Sequence, residues 1–109
     1  RVTGHVDRGY STGLIVQPVT QSFARYLDIP FTKGVIVVEI TSGSAGDRSG
    51  LEVGDVILTV NGEPVNRPNE IRTIISENDL RPGDKLSLKI FREGSYKTLK
   101  MKLEKSRRK

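Results

Sequence analysis

Residues 34–62 read Gly34-Val35-Ile36-Val37-Val38-Glu39-Ile40, Thr41-Ser42-Gly43-Ser44-Ala45-Gly46-Asp47-Arg48-Ser49, Gly50-Leu51-Glu52-Val53-Gly54-Asp55, Val56-Ile57-Leu58-Thr59-Val60 and Asn61-Gly62. The run from Val35 to Ile40 is dense in β-branched residues and reads as a well-buried strand. Thr41 to Ser44 is a loop, and Ala45 to Ser49 is at most a short helix stopped by Gly50. Leu51 is apolar between two glycines at a tight corner, so it should plug the core. Asp55 follows the corner and can accept hydrogen bonds from turn N–H groups. Val56 to Val60 is a second strand, and Asn61-Gly62 is a strong two-residue hairpin signal. The short return strand Glu63-Pro64-Val65 contains a proline, which places it at a sheet edge.

Outward from this centre, Leu14-Ile15-Val16 is a short strand closed by Gln17-Pro18. Ser22 to Leu27 has helical spacing, with Phe23 and Leu27 four residues apart, and Ile29-Pro30 ends it. On the other side, Asn66 is an N-cap candidate and Pro68 suits a first helical turn. Ile71, Ile74 and Ile75 mark one apolar helix face, and Asn78-Asp79 can end that helix. After the Arg81-Pro82-Gly83-Asp84 turn, Leu86, Leu88 and Ile90 alternate with Ser87 and Lys89. Beyond the Glu93-Gly94 turn, Leu99, Met101 and Leu103 alternate with Lys100 and Lys102. These two segments read as an antiparallel hairpin with one wet face. The expected fold is α+β and mainly β: a partly open antiparallel barrel of five or six strands capped by two or three helices.

The chain has 109 residues, enough for one domain with its own core. Its 35% apolar content, with 11 glycines besides, disfavours disorder. No apolar run approaches the roughly 20 residues of a membrane-spanning helix. The chain begins at Arg1 without an initiating Met or an apolar leader, which reads as a fragment of a longer protein. Charge is unevenly spread. Residues 92–109 hold eight bases and two acids, net +6; the other 91 residues hold ten bases and eleven acids, net −1. The globular body is therefore neutral, which argues against a nucleic-acid-binding face. The basic end reads as a solvated terminus or linker.

Several chemistries lack their residues. With no cysteine and a single histidine, His5, there is no disulfide framework, no thiolate nucleophile and almost no material for a metal site. No Gly-x-Ser-x-Gly elbow occurs, and His5 has no serine and acid beside it in sequence. Gly43-Ser44-Ala45-Gly46 resembles a phosphate loop only in glycine content, because Gly50 is followed by Leu51 rather than Lys. No catalytic constellation and no cofactor is expected in this chain.

What the sequence does offer is Arg8-Gly9-Tyr10-Ser11-Thr12-Gly13-Leu14-Ile15-Val16. A glycine-bearing loop that enters a strand can turn successive backbone N–H groups toward one point and form an anion-binding nest. If the strand lies at a sheet edge, it can accept an added strand. The apolar face of the helix from Asn69 to Asn78, packed beside that strand, would leave a groove. Leu14 and Val16 alternate onto one face. They either line that groove or belong to the core, and Arg8 either contributes to the nest or is a solvated linker charge.

The chain from Arg8 to Leu103 resembles a PDZ domain, specifically those of HtrA/Deg-type (trypsin-like) serine proteases. The resemblance rests on Gly34-Val35-Ile36-Val37, Ser42-Gly43-Ser44-Ala45, Ser49-Gly50-Leu51-Glu52-Val53-Gly54-Asp55-Val56-Ile57 and Val60-Asn61-Gly62 in this order and spacing. It implies residues 1–7 as a linker from a preceding protease domain, 8–104 as the domain and 105–109 as a basic tail. It also implies that Ser11, Thr12, Gly13 and Leu14, preceded by Arg8, form a peptide-carboxylate loop. In that scheme the N–H groups of Thr12, Gly13 and Leu14 are the donors. Leu14-Ile15-Val16 would be the strand that pairs with the peptide. Leu14 and Val16 would line the pocket for its last side chain, Ile71, Ile74 or Ile75 would form the helical wall, and Ile15 would point to the opposite face. Thr12 departs from the family pattern, which usually has a bulky apolar residue there.

The implied function is recognition of C-terminal or exposed hydrophobic peptide segments by β-strand addition, regulating or feeding an extracytoplasmic serine endopeptidase. The implied partners are such peptides and the protease domain of the same polypeptide. The chain itself should be monomeric and the full-length protein trimeric. Two alternatives stand beside this: the same fold in a membrane metalloprotease or a C-terminal processing protease, and a basic adaptor that binds anionic surfaces through Lys100–Lys109.

Overall fold

The computed structural model describes residues 10–105. In chain order they form β1 (Tyr10–Ser11), β2 (Leu14–Pro18), α1 (Gln21–Tyr26), β3 (Val35–Ile40), α2 (Ala45–Arg48), β4 (Val56–Val60), β5 (Glu63–Pro64), α3 (Pro68–Glu77), β6 (Lys85–Arg92), β7 (Ser95–Lys102) and β8 (Glu104–Lys105). Six strands make one antiparallel sheet in the order β2-β3-β4-β6-β7, with β5 paired to β4; β1 and β8 form a separate two-stranded ribbon. This is the expected mainly-β, partly open architecture with three helices.

The β-branched run of β3 is buried from Val35 to Val37, and β4 is buried at Val56, Ile57, Leu58 and Val60. Two apolar layers result. One contains Val35, Val37, Leu51, Ile57, Ile74, Ile75, Leu86, Leu88, Ile90 and Met101. The other lies on the opposite side of the sheet, where Val19, Ala24 and Ile29 meet Ile36, Val56 and Phe91. The β6–β7 hairpin keeps its expected wet face: Lys85, Lys89, Lys100 and Lys102 are exposed, while Leu86, Leu88, Ile90 and Met101 are buried.

The corner after Gly50 is locked as its residues suggested. Leu51 is buried in the main core, and the Asp55 carboxylate accepts the Glu52 N–H at 2.8 Å. Arg92, which the sequence placed only beside a turn, completes the corner. Its Nε and Nη2 donate to the two Asp55 oxygens at 2.8 and 2.7 Å, and Nη2 also donates to the Gly50 carbonyl at 2.9 Å. Donation to the Asp55 carboxylate raises the pKa of the Arg92 guanidinium above its ordinary value, against a smaller opposing effect of burial.

Two local expectations differ from the structure. Asn66 does not cap α3. Its side-chain oxygen accepts the Gly34 N–H at 2.9 Å, 32 residues away, and so ties the helix approach to the start of β3. The N-cap position falls on Arg67, and the Glu70 carboxylate reaches back to the N–H groups of Asn66 and Arg67 at 2.6 and 3.0 Å. These bonds satisfy donors that a helix start otherwise leaves without partners. The second difference is at the chain ends: Tyr10 pairs with Lys105 and Ser11 with Glu104, so the first residue of the expected basic tail lies in a strand. Residues 1–9, including Arg8, and residues 106–109 lie outside the described residues.

Candidate functional site: an open strand edge facing a helix

β2 pairs with β3 and with no other strand among the described residues, so it is an edge of the sheet. Its other side faces α3. Between them is a groove of about 270 Å³ lined by Thr12, Leu14, Ile15, Val16, Pro68, Ile71, Arg72 and Ile75.

The turn into β2 is two residues long, Thr12 and Gly13, and both of its carbonyls are held from behind. The Thr12 carbonyl accepts the Gly46 N–H at 2.8 Å, and the Gly13 carbonyl accepts the Thr41 N–H at 2.8 Å. The N–H of a trans peptide unit points opposite to its C=O. The Gly13 and Leu14 N–H groups are therefore turned away from α2 and β3.

The register gives the same result for Leu14. Leu14 stands opposite Ile40, while the flanking Gly13 carbonyl accepts from Thr41. That makes Leu14–Ile40 a non-hydrogen-bonded pair of the antiparallel ladder, whose own backbone groups face away from the partner strand. The Leu14 N–H thus points into the open edge, where the Thr12 hydroxyl is 3.4 Å away. That distance exceeds the roughly 2.7–3.2 Å of a well-formed N–H···O bond, so the contact is weak.

The conformation depends on two close approaches. Gly13 has φ +72°, and a Cβ there would collide with the Ser44 side chain. Gly46 lies behind Leu14: a Cβ on it would overlap the Leu14 side chain, 2.8 Å from its Cγ, and sit 3.0 Å from the Thr12 carbonyl oxygen. Ser44 caps α2 through the Asp47 N–H at 3.2 Å, and the Asp47 carboxylate returns to the Gly43 N–H at 2.8 Å. The Ser42–Gly46 segment thus serves as the rear support of the β2 entry.

The residues singled out in the sequence fall into three groups. Thr12, Leu14, Ile15, Val16, Ile71 and Ile75 border the groove, and Gly13 shapes its entrance. Leu14 and Val16 are half-buried and also touch the main core, so the two readings of these residues are both realised. Ile15 is 52% exposed, consistent with alternation, yet it too borders the groove, because the groove runs along the strand's edge.

Ser11 and Ile74 are not among the lining residues. Ser11 belongs to β1, opposite Glu104, so the loop is shorter than expected. Ile74 is buried in the main core. At about 100° per residue, Ile74 is about 100° from Ile75 and lies on the side away from Pro68 and Arg72. Pro68 and Arg72 also line the groove, although neither belongs to the isoleucine stripe of α3. Their signal was the same wheel, since they fall on the far flank of Ile75 from Ile74. Gly46 carried no such signal, because its role depends on contacts 32 residues back in the chain.

A small antiparallel sheet with an open edge strand across a groove from a helix defines a recognisable class of domain. The PDZ domain family matches residues 10–103, and the chain belongs to it. It is 35% identical over 92% of its length to a probable periplasmic serine endoprotease, DegP-like, of Rhizobium meliloti, of which it covers 19%. The chain spans about a fifth of the length of the curated relatives it matches. Among solved structures, it superposes on the HtrA-type protease AlgW with decapeptide (TM-score 0.75, 26% identity, covering 93% of this chain and 30% of that one). It also superposes on the HtrA3 PDZ domain bound to a phage-derived ligand, FGRWV (TM-score 0.70, 24% identity, 87% and 85% covered). At that identity the second likeness speaks to the fold.

Proposed function

We propose that this domain binds peptide C-termini or exposed hydrophobic segments by adding them as a strand to the free edge of β2. The observation that carries this reading is the orientation of the Leu14 N–H, directed into a groove whose walls are otherwise mainly apolar. A terminal carboxylate takes the N–H groups at Thr12, Gly13 and Leu14, and the peptide then runs antiparallel to β2. Its last side chain lies against Leu14, Val16, Ile71 and Ile75. Main-chain bonds supply affinity in this mode and the side-chain pocket supplies selectivity.

The similarity to HtrA-type proteases supports a parent protein that is an extracytoplasmic serine endopeptidase. Within it, this domain presents substrate or couples peptide binding to proteolysis.

The test is a titration of the chain with short peptides ending in apolar residues, as free acids and as C-terminal amides. Micromolar binding of the acid, about −8 kcal/mol, is readily measured. The expected result is that amidation removes most of the affinity and Leu14→Asp abolishes it. Equal binding of acid and amide would overturn the carboxylate loop and leave internal segments as the ligand.

A further inference from the structure

One groove residue does not fit a purely apolar pocket. Arg72 carries the one charged side chain among the lining residues, on the α3 wall beside Ile71 and Ile75. It is exposed, and it forms no salt bridge among the described residues. Its neighbours three and four positions away along α3 are Pro68, Asn69, Ile75 and Ser76, none of them acidic. Nothing on its own helix face therefore neutralises it. A guanidinium in this position is available to whatever occupies the groove, and it presents a planar array of donors matched to a carboxylate.

We infer that Arg72 makes the groove selective for peptides with an acidic side chain two residues before the apolar C-terminal residue. The inference rests on the proposed strand addition. In an added strand, alternate side chains face the same wall, so the last residue and the one two before it both look toward α3. Their spacing along the strand, about 6.6 Å, is close to the roughly 5.4 Å of one helical turn. Ile71 and Ile75 favour an apolar group at one of these positions. The guanidinium on the same wall then meets the other, where glutamate or aspartate gains an ion pair and lysine meets like charge.

The experiment uses synthetic free-acid pentapeptides of one sequence with a C-terminal valine and Glu, Gln or Lys two positions earlier. Each is titrated against the wild-type chain and against Arg72→Gln and Arg72→Glu, at low and high salt. An exposed ion pair corresponds to an effect of about fivefold or less. Wild type is expected to prefer Glu over Gln by roughly threefold and over Lys by more, with the margin shrinking at high salt. Arg72→Gln should level the three peptides, and Arg72→Glu should reverse their order.

Binding of all three within twofold, or a Glu preference that survives Arg72→Gln, would overturn the inference while leaving strand addition intact. If Arg72→Gln weakens all three free acids equally, Arg72 engages the terminal carboxylate and the inference fails in that form. If no free-acid peptide binds, the strand-addition reading fails and the selectivity with it.

Discussion

Gly13 and Gly43 form a matched pair for separating backbone strain from packing at the groove entrance. Both are in the left-handed region, at φ +72° and +77°. A Cβ on Gly43 would meet nothing within 4 Å, whereas one on Gly13 would collide with Ser44. Placing an ordinary residue in the left-handed region costs about 1–2 kcal/mol. Alanine returns about 0.4–1 kcal/mol by reducing the freedom of the unfolded chain. Gly43→Ala is therefore expected to destabilise by about 1 kcal/mol or less. Gly13→Ala carries the same backbone term plus the overpacking cost of about 1–3 kcal/mol, for a total of about 1–4 kcal/mol.

Urea unfolding of both variants gives the difference directly, with unchanged m-values confirming that the native state is the one affected. Ser44→Gly removes both side-chain atoms that the new Cβ would strike. The double variant Gly13→Ala/Ser44→Gly should therefore recover about 1–3 kcal/mol relative to the sum of the single changes. Gly13→Ala should also weaken peptide binding, since relief of the collision moves the Gly13 and Leu14 N–H groups, and Gly43→Ala should not. Equal destabilisation by the two variants, within about 0.5 kcal/mol, or additive behaviour in the double variant, would refute the close-approach argument.

Thr12→Val keeps the shape and removes the hydroxyl 3.4 Å from the Leu14 N–H; peptide affinity by calorimetry should rise about twofold to fivefold, and a fall would assign that hydroxyl to the ligand instead. Asp55→Asn leaves Arg92 without its buried carboxylate partner, Asp55 being 1% exposed and the Arg92 side chain 18%. A loss of about 2–3 kcal/mol is expected in chemical unfolding, below the roughly 3–5 kcal/mol of a fully buried pair because Arg92 is partly wet. Backbone hydrogen bonds from Asn66 and Arg67 hold the Glu70 carboxyl below its ordinary 4.5. A folded-state value below the unfolded one stabilises the domain in full above about pH 4.5, and this contribution is lost as pH falls toward the lowered value. Glu70→Gln should accordingly flatten the stability–pH curve on the acid side of pH 4.5 relative to wild type, as read by thermal unfolding across that window.

What the sequence conveyed follows how local the determinants are. The buried run Val35–Ile40 and the Leu86–Ile90 and Leu99–Leu103 alternations can be read because the signal and the structure share a few consecutive residues. The Asn61-Gly62 hairpin is another such case: Asn61 and Gly62 both take positive φ, 52° and 83°. Asn66 misled because its carboxamide had two uses, a nearby cap and the distant Gly34 N–H, and tertiary contact selected the second. The β1–β8 ribbon pairs two-residue segments from opposite ends of the chain, too short for any periodicity. At the groove, Leu14, Val16, Ile71 and Ile75 followed from alternation and helical spacing. Arg72 and Pro68 stand outside the isoleucine stripe that marks the apolar face of α3, and Ile74 belongs to that stripe but turns into the core. Gly46 carries no local signal for its role, because its close approach to Leu14, which shapes the groove from behind, is a tertiary contact.

The most direct measurement of the central claim is a map of backbone amide resonances while an apolar free-acid peptide is titrated into the labelled chain. Strand addition at the β2 edge predicts that the largest changes fall on Thr12 to Val16, with a second set at Ile71 to Ile75. It also predicts that the Gly13 and Leu14 amides move downfield as they gain a carboxylate acceptor. Changes centred on the lysine face of β6 and β7 or on α1, with Thr12 to Val16 unmoved at saturation, would contradict the account.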